Sequence, residues 1–290
     1  MRTERIAVAP GVELAVDCWE ASGQASGHAA GRASFLLVHG LASNARMWDG
    51  VAGALAETGH EALTVDLRGH GRSSKPDDGY DVPTVAADVR TLIDRLGLDR
   101  PIVAGQSWGG NVVLELAAAH PTAARALALV DGGWLDLGSA FPDWEACRTA
   151  LAPPRLVGTP VTDVERYIRS AHPDWPDTGI RGALANFEVR PDGTIAPWLT
   201  YERHMTVLRG LWEHRPADRY PSVAVPALLC PADDGDLDAH GRKAEAVAAA
   251  AAAIPNARVE WFQGDHDIHA QHPVELAGAL LTLASDEASR

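Results

Sequence analysis

The chain has little with which to hold nucleic acid or an acidic membrane. Its formal net charge over 290 residues is -14, and an excess of carboxylates repels both partners. Cysteine is scarce. Cys18, Cys147 and Cys230 are widely spaced and odd in number, which excludes a disulfide framework and a cysteine metal pattern. Cys18 and Cys230 fall in strand-like runs and read as small core residues. The opening Met1-Arg2-Thr3-Glu4-Arg5-Ile6 lacks the apolar stretch of a secretory signal. No apolar run approaches the ~20 residues of a membrane span. Internal repeats are absent, as are the strand–GxGxxG–helix fingerprint of a dinucleotide site and the Lys-Ser/Thr pair of a phosphate loop. These absences lead us to expect a cytoplasmic protein acting on a small neutral or cationic molecule, as a monomer or homodimer, with no nucleic acid, membrane, metal or cofactor.

What the chain does have is length and punctuation. It is long enough to bury a large core. The alternating Ile6, Val8 and Val12, Leu14, Val16, Cys18, split by Pro10-Gly11, predict an antiparallel hairpin. Gln24 to Arg32 is rich in Gly, Ala and Ser and predicts a mobile surface loop. Apolar strands are expected near 34–39, 61–66, 101–106 and 126–131, alternating with helices near 44–58, 83–96 and 108–119. Strands apolar on both faces belong to a parallel sheet covered by helices. The rhythm breaks after Gly132-Gly133. Residues 134–220 are rich in Pro and Trp and in short helical pieces, without a strand rhythm. They hold Trp134, Trp144, Trp175, Trp198 and Trp212, which either form that segment's own core or in part line an apolar pocket. Alternation resumes with Ala224 to Cys230, a helix near 240–254 and a strand at 258–262.

The chemistry-bearing feature is Gly105-Gln106-Ser107-Trp108-Gly109, placed between an apolar strand and an alanine-rich helix. In this G-x-S-x-G setting the serine sits on a sharp turn at a helix N-terminus, where backbone N–H groups favour developing negative charge. Three further segments keep it company. One strand ends in His39-Gly40. Another runs into Asp66-Leu67-Arg68-Gly69-His70-Gly71-Arg72-Ser73. A third, near the C-terminus, delivers Gly264-Asp265-His266 ahead of Pro273, which opens a last helix.

Together these segments resemble the α/β-hydrolase family. The resemblance implies an α/β fold: a mostly parallel eight-stranded sheet flanked by helices, with a core of residues 1–133 and 221–290 and a helical cap, 134–220, inserted after the sixth strand. It also implies a serine hydrolase needing no cofactor, with Ser107 as nucleophile and His266 as general base. His266 lies seven residues before Pro273, the family's usual spacing. His269 and His272 then read as surface or helix-start residues. The family usually supplies the acid after the seventh strand, in a Gly-x-x-Asp-like turn. Here that turn reads Pro231-Ala232-Asp233-Asp234-Gly235-Asp236-Leu237-Asp238 and departs from the pattern. The candidates for the acid are therefore Asp131, at the end of the sixth strand, and Asp236, with Asp233, Asp234 and Asp238 behind them.

The oxyanion hole is expected from the backbone N–H groups of Leu41 and Trp108. His39, Trp108 and Trp134 are candidates to face substrate, with His39 also expected to brace its loop. Arg68 and His70 read as structural. Alternatives remain open: C–C bond hydrolysis, perhydrolysis or biosynthetic acyl release on the same residues, or a non-catalytic ligand receptor.

Overall fold

The computed structural model describes residues 1–22 and 33–288, leaving aside the side chains of residues 237–239 and 287–288. The loop expected at 24–32 lies outside the described residues. One eight-stranded sheet organises the rest. Its strands are β1 (Arg2–Ala9), β2 (Val12–Trp19), β3 (Ser34–Val38), β4 (Glu61–Asp66), β5 (Ile102–Gln106), β6 (Ala126–Val130), β7 (Ala227–Cys230) and β8 (Ala257–Val259), in the order β1-β2-β4-β3-β5-β6-β7-β8. The β1–β2 hairpin is antiparallel and β2 runs antiparallel to β4. Every other pair is parallel.

The sheet is buried on both faces because its strands are apolar on both. Leu36 and Val38 of β3 pack into one core cluster, while Phe35 and Leu37 pack into the other. The same period-two division sends Leu127 and Leu129 of β6 one way and Ala126, Ala128 and Val130 the other. Helices α2 (Val82–Leu96), α3 (Trp108–Ala119) and α9 (Leu237–Ala253) cover the first face. Helices α1 (Asp49–Glu57) and α11 (Pro273–Ala288) cover the second. Asp81 caps α2 by accepting from Thr84 N at 2.9 Å, and Gly97, with φ of 66°, ends it.

Two expectations are corrected. The helix expected over 44–58 divides into a 3₁₀ turn, Ala45–Trp48, and α1. Asn44 caps the turn through Arg46 N at 2.8 Å while its side-chain amide donates to Gly182 O, also at 2.8 Å, so its own tertiary contacts set the break. The strand expected at 258–262 leaves the main sheet after Val259. Its continuation, Phe262–Gln263, pairs in parallel with Ala232–Asp233 just beyond β7. This small second ladder carries the chain to residues 264–267.

Between β6 and β7, residues 134–220 hold α4 (Leu137–Ala140), α5 (Trp144–Leu151), α6 (Val161–Ala171), α7 (Asp177–Leu184) and α8 (Tyr201–Glu213). They also hold a hairpin, Phe187–Val189 with Ile195–Pro197, where no strand was expected. Each strand is three residues long, too short to show alternation. The turn Arg190-Pro191-Asp192-Gly193 was the readable signal. A separate apolar cluster, including Met47, Ile168, Trp175, Ile180 and Ala270, ties this segment to the sheet. After α9 and β8 the chain adds the short helix α10 (Ile268–Gln271) and then α11.

Candidate active site

Parallel pairing places the carboxyl ends of β3, β5, β6 and β7 side by side, with Val38 opposite Gly105, Gln106 opposite Val130, and Val130 opposite Cys230. His39, Ser107, Asp131 and Pro231 follow those ends in turn, which is where an open α/β sheet presents its ligand-binding crevice.

Ser107 turns the chain from β5 into α3 with φ of 53°, a left-handed conformation that costs a non-glycine residue on the order of 1 kcal/mol. Its N–H donates to Val130 O at 2.9 Å, and its carbonyl accepts from Gly110 N at 2.9 Å. The bend depends on two close backbone approaches. A Cβ on Gly132 would run into the backbone of Ser107, and one on Gly109 would run into the carbonyl of His39.

Asp131, also at positive φ (39°), is nearly buried and points at the C-terminal loop. Its Oδ2 lies 2.6 Å from Nδ1 of His266. Asp131 is 3% exposed and His266 is 51% exposed, so the carboxylate sits behind the imidazole with the ring open to the cavity. Oδ1 of Asp131 accepts from Ala232 N at 3.0 Å. Lys243 of α9 donates to Oδ2 at 3.0 Å and to Ala232 O at 2.7 Å. Burial alone would raise the Asp131 pKa, but His266, Lys243 and the Ala232 N–H together hold it below the ordinary carboxylate value. For His266, burial opposes protonation. The hydrogen bond to Asp131 and the charges of Asp267 and Asp131 outweigh it, so its pKa lies above the ordinary histidine value.

The alternatives for the acid lie elsewhere. Asp233 accepts from Gly235 N at 3.1 Å and from Gln263 Nε2 at 2.9 Å. Asp234 accepts from Asp236 N at 3.0 Å, and the carbonyl of Asp236 accepts from His240 N at 2.7 Å. It is Asp131, from the end of β6, that meets the imidazole. The Asp238 side chain lies outside the described residues.

Ser107 and His266 line one cavity of about 200 Å³ together with Leu41, Gln106 and Asp267. No hydrogen bond joins the two side chains among the described residues. In the absence of a ligand such bonds are often long and tighten only when substrate binds. Gln106, next to Ser107, donates to His266 O at 3.1 Å and so links the elbow to the histidine loop. Leu41 contributes to the cavity and Trp108 begins α3, where the first helical N–H groups have no partner within the helix.

His39 is fully buried. Its Nε2 accepts from Leu67 N at 3.0 Å and its Nδ1 donates to Gly40 O at 2.7 Å, an assignment set by that network. Burial lowers its pKa. His39 therefore braces its loop, as expected, and does not face the cavity. His70 does similar work: Nδ1 donates to Arg68 O at 2.9 Å and Nε2 accepts from Ala42 N at 3.3 Å. Arg68 forms a buried pair with Asp88, with Nη2 to Oδ1 at 2.7 Å. The structural readings of Arg68 and His70 thus agree with the geometry.

The expected substrate contacts of Trp108 and Trp134 do not appear. The Trp108 ring is fully buried and stacked on His70 at 5.5 Å. Trp134 is buried in the same core cluster as Trp108. His269 stands at a helix start, in the first turn of α10, as one of its two expected readings had it, but it is fully buried and not at the surface, 4.5 Å from the Trp48 ring, with neither ring nitrogen hydrogen-bonded.

Trp175, one of the tryptophans expected in the segment's core or at a pocket, lines the cavity and also packs in the segment's apolar cluster. Ile168, His172 and Asn186, which the sequence did not mark, reach the cavity from the same segment. Trp175 Nε1 donates to Asp265 Oδ2 at 2.9 Å, and His172 Nδ1 lies 3.0 Å from the same oxygen. This latch joins that segment to the loop bearing His266. A larger chamber of about 630 Å³ adjoins the first, sharing Ala42, Ser43 and Asn186 with it and walled by Phe187, Trp198 and Leu199.

A family model described as alpha/beta hydrolase fold matches residues 33–273, and the chain belongs to that family. An uncharacterized protein of Mycobacterium tuberculosis (strain ATCC 25618 / H37Rv) is 36% identical over 100 residues, 34% of this chain and 29% of that protein. The soluble epoxide hydrolase of Corynebacterium sp. (strain C12) is 38% identical over 109 residues, 37% of this chain and 38% of its own. These likenesses thus span about a third of each relative. Among solved structures, E-2-(acetamidomethylene)succinate hydrolase superposes with a TM-score of 0.77 at 22% identity, over 98% of this chain and 99% of its own, a likeness of fold alone. Among the described residues, no helix is long and apolar enough to cross a membrane.

Proposed function

We propose that the protein is a serine hydrolase that cleaves an ester, lactone, thioester or activated amide of a small, fairly apolar molecule, with residues 134–220 as its cap. The observation that carries this reading is the buried Asp131 carboxylate on Nδ1 of His266, in a cavity shared with Ser107. With Nδ1–H donating a hydrogen bond to Asp131, Nε2 holds the lone pair that can take the Ser107 proton.

In the reaction, Ser107 Oγ attacks the substrate carbonyl carbon as His266 Nε2 takes the hydroxyl proton. The negative oxygen is held by the Leu41 and Trp108 N–H groups. Collapse of this intermediate breaks the bond to the leaving group, which receives the proton from His266. Water then attacks the acyl-serine as His266 takes its proton; the second intermediate collapses, the bond to Ser107 Oγ breaks, and Oγ recovers the proton from His266 as the carboxylic acid leaves. The adjoining apolar chamber supports a substrate with an apolar arm longer than the first cavity can hold. The epoxide hydrolase likeness does not extend this far: a carboxylate is the attacking group in that chemistry, and Ser107 stands at the elbow.

The test is covalent labelling with a fluorophosphonate probe, read by mass spectrometry on intact and digested protein. An adduct on Ser107, lost in Ser107→Ala, supports the reading. Folded protein that takes no adduct overturns it and favours a ligand receptor.

A further inference from the structure

Lysine is rare here. The chain has 23 arginines and two lysines, Lys75 and Lys243. Both lysines end on convergent oxygens. Lys75 Nζ donates to Gly71 O at 2.7 Å and Ser73 O at 3.0 Å. Lys243 Nζ lies 3.0 Å from both carboxylate oxygens of Asp131 and 2.7 Å from Ala232 O. A compact ammonium can straddle a carboxylate and a carbonyl in a space where a planar guanidinium fork would impose its own geometry.

We propose that Lys243 is a positioning residue of the active site, holding the Asp131 carboxylate in line with His266 from helix α9. The inference rests on the serine hydrolase reading for its consequence in catalysis. The turn after β7, where the family resemblance led us to look for the acid, instead supplies the rest of the clamp. Ala232 gives its N–H to Oδ1 of Asp131 and its carbonyl to Lys243. Asp131 is thereby fixed from three directions, by the Ala232 N–H, the Lys243 ammonium and the His266 ring. Lys243 is 25% exposed against 3% for the carboxylate, so the pair is largely withdrawn from solvent.

The clamp also has an electrostatic effect. The groups acting on His266 are Asp131 from the end of β6, Lys243 from α9, Asp267 from its own loop and His269 from α10. Asp131 and Asp267 raise its proton affinity, while Lys243 lowers it. His269 stays neutral, its pKa brought down to about 3 by burial. Lys243 thus holds the acid in place while restraining how strongly that acid raises the basicity of the imidazole.

The test compares wild type, Lys243→Met and Lys243→Arg in the pH dependence of Ser107 labelling by a fluorophosphonate, alongside the His266 titration followed by NMR. In Lys243→Met the acid limb of labelling should move to higher pH, with labelling roughly tenfold slower at pH below that limb. Lys243→Arg keeps the charge but not the compact geometry, so it should return the limb and only part of the rate. The His266 titration should move upward in Lys243→Met whether or not Ser107 reacts. A wild type that takes no adduct would therefore overturn the hydrolase reading and leave the NMR result to judge the clamp. If Lys243→Met does not fold, Lys243→Gln, which keeps a donor to Ala232 O without the charge, serves the same comparison. An unmoved limb and titration in folded Lys243→Met overturns the proposal. So does a uniform loss of rate at every pH that arginine does not repair, which would mark Lys243 as packing only.

Discussion

The carboxylate of Asp131 meets Nδ1 of His266 at 2.6 Å across 135 positions of sequence. Two devices bring them together. A positive φ at Asp131 aims its side chain across the ends of the strands, and the short ladder between residues 232–233 and 262–263 returns the C-terminal chain alongside. Paired variants test what this contact does. Asp131→Asn leaves the shape of the site but offers Nδ1 an amide, which destabilises the required tautomer, and kcat should fall by about 10⁴. Asp236→Asn should stay within severalfold of wild type. Steady-state kinetics on p-nitrophenyl acetate measures both, and a reversal of the two results would reassign the acid.

The same contact sets a pH dependence. A base must be unprotonated to accept the serine proton, and the His266 pKa is raised above its ordinary value of 6.5. The acid limb of kcat/KM should therefore lie above 6.5, with activity lost as pH falls through it. In Asp131→Asn the limb should move down, because the group that most favours the imidazolium has lost its charge. A pH–rate profile of kcat/KM from pH 5 to 9 reads both effects, and a limb at or below the ordinary histidine value in the wild type would contradict the assignment.

Much of this was legible in the sequence, and the reasons are particular. The strands showed because each is apolar on both faces, and the elbow showed because Gly105 and Gly109 permit approaches that leave little other choice of residue. His266 could be found from its distance to Pro273. The acid could not be settled, since aspartates end β6 and crowd the turn after β7, and only the fold decides which of them faces the ring. Trp108 neighbours the elbow in sequence, Trp134 opens a Trp-rich segment and His39 follows a strand end, which made all three candidates to face substrate. Burial sends all three into the frame instead. The residues that do line the cavity from 134–220 lie on α6, between α6 and α7, on α7 and beyond it, and no local pattern marks Ile168, Ala183 or Asn186 as neighbours of Ser107.

The elbow should be intolerant at Gly132. A Cβ there would overlap the Ser107 backbone, so either the bend opens or β6 shifts. Gly132→Ala should lose about 1–3 kcal/mol of stability and, in the fraction that folds, label at Ser107 far more slowly than wild type. Urea denaturation and probe labelling measure the two separately. Wild-type values for both would mean that the close approach does not hold the bend.

The larger chamber predicts a selectivity that can be altered without touching Ser107 or His266. Ala196 lines that chamber and not the smaller cavity. Ala196→Trp should fill part of it. On p-nitrophenyl esters of graded chain length, acetate turnover should stay within severalfold, while turnover of decanoate falls roughly tenfold or more, since each buried CH₂ is worth about 0.8 kcal/mol. Equal loss on every ester would place the substrate arm elsewhere.

His269 gives a stability prediction with a defined sign. Its ring is fully buried against Trp48 and neither nitrogen has a hydrogen-bond partner, and burial brings its pKa from 6.5 to about 3. Between those two values the unfolded chain binds a proton that the folded chain refuses, so stability rises with pH there and is lost as pH falls from 6.5 toward 3. The full effect is on the order of 5 kcal/mol. His204, brought to about 4 by burial, and the buried His39 and His70 act in the same direction. The wild type should thus lose Tm steeply below pH 6.5. His269→Phe keeps an aromatic ring against Trp48 but has nothing to protonate, so its Tm should fall less steeply over the same window. The comparison rests on the slope, so a constant packing cost from the larger ring does not obscure it. Parallel curves for the two proteins would mean that His269 titrates alike in the folded and unfolded chains.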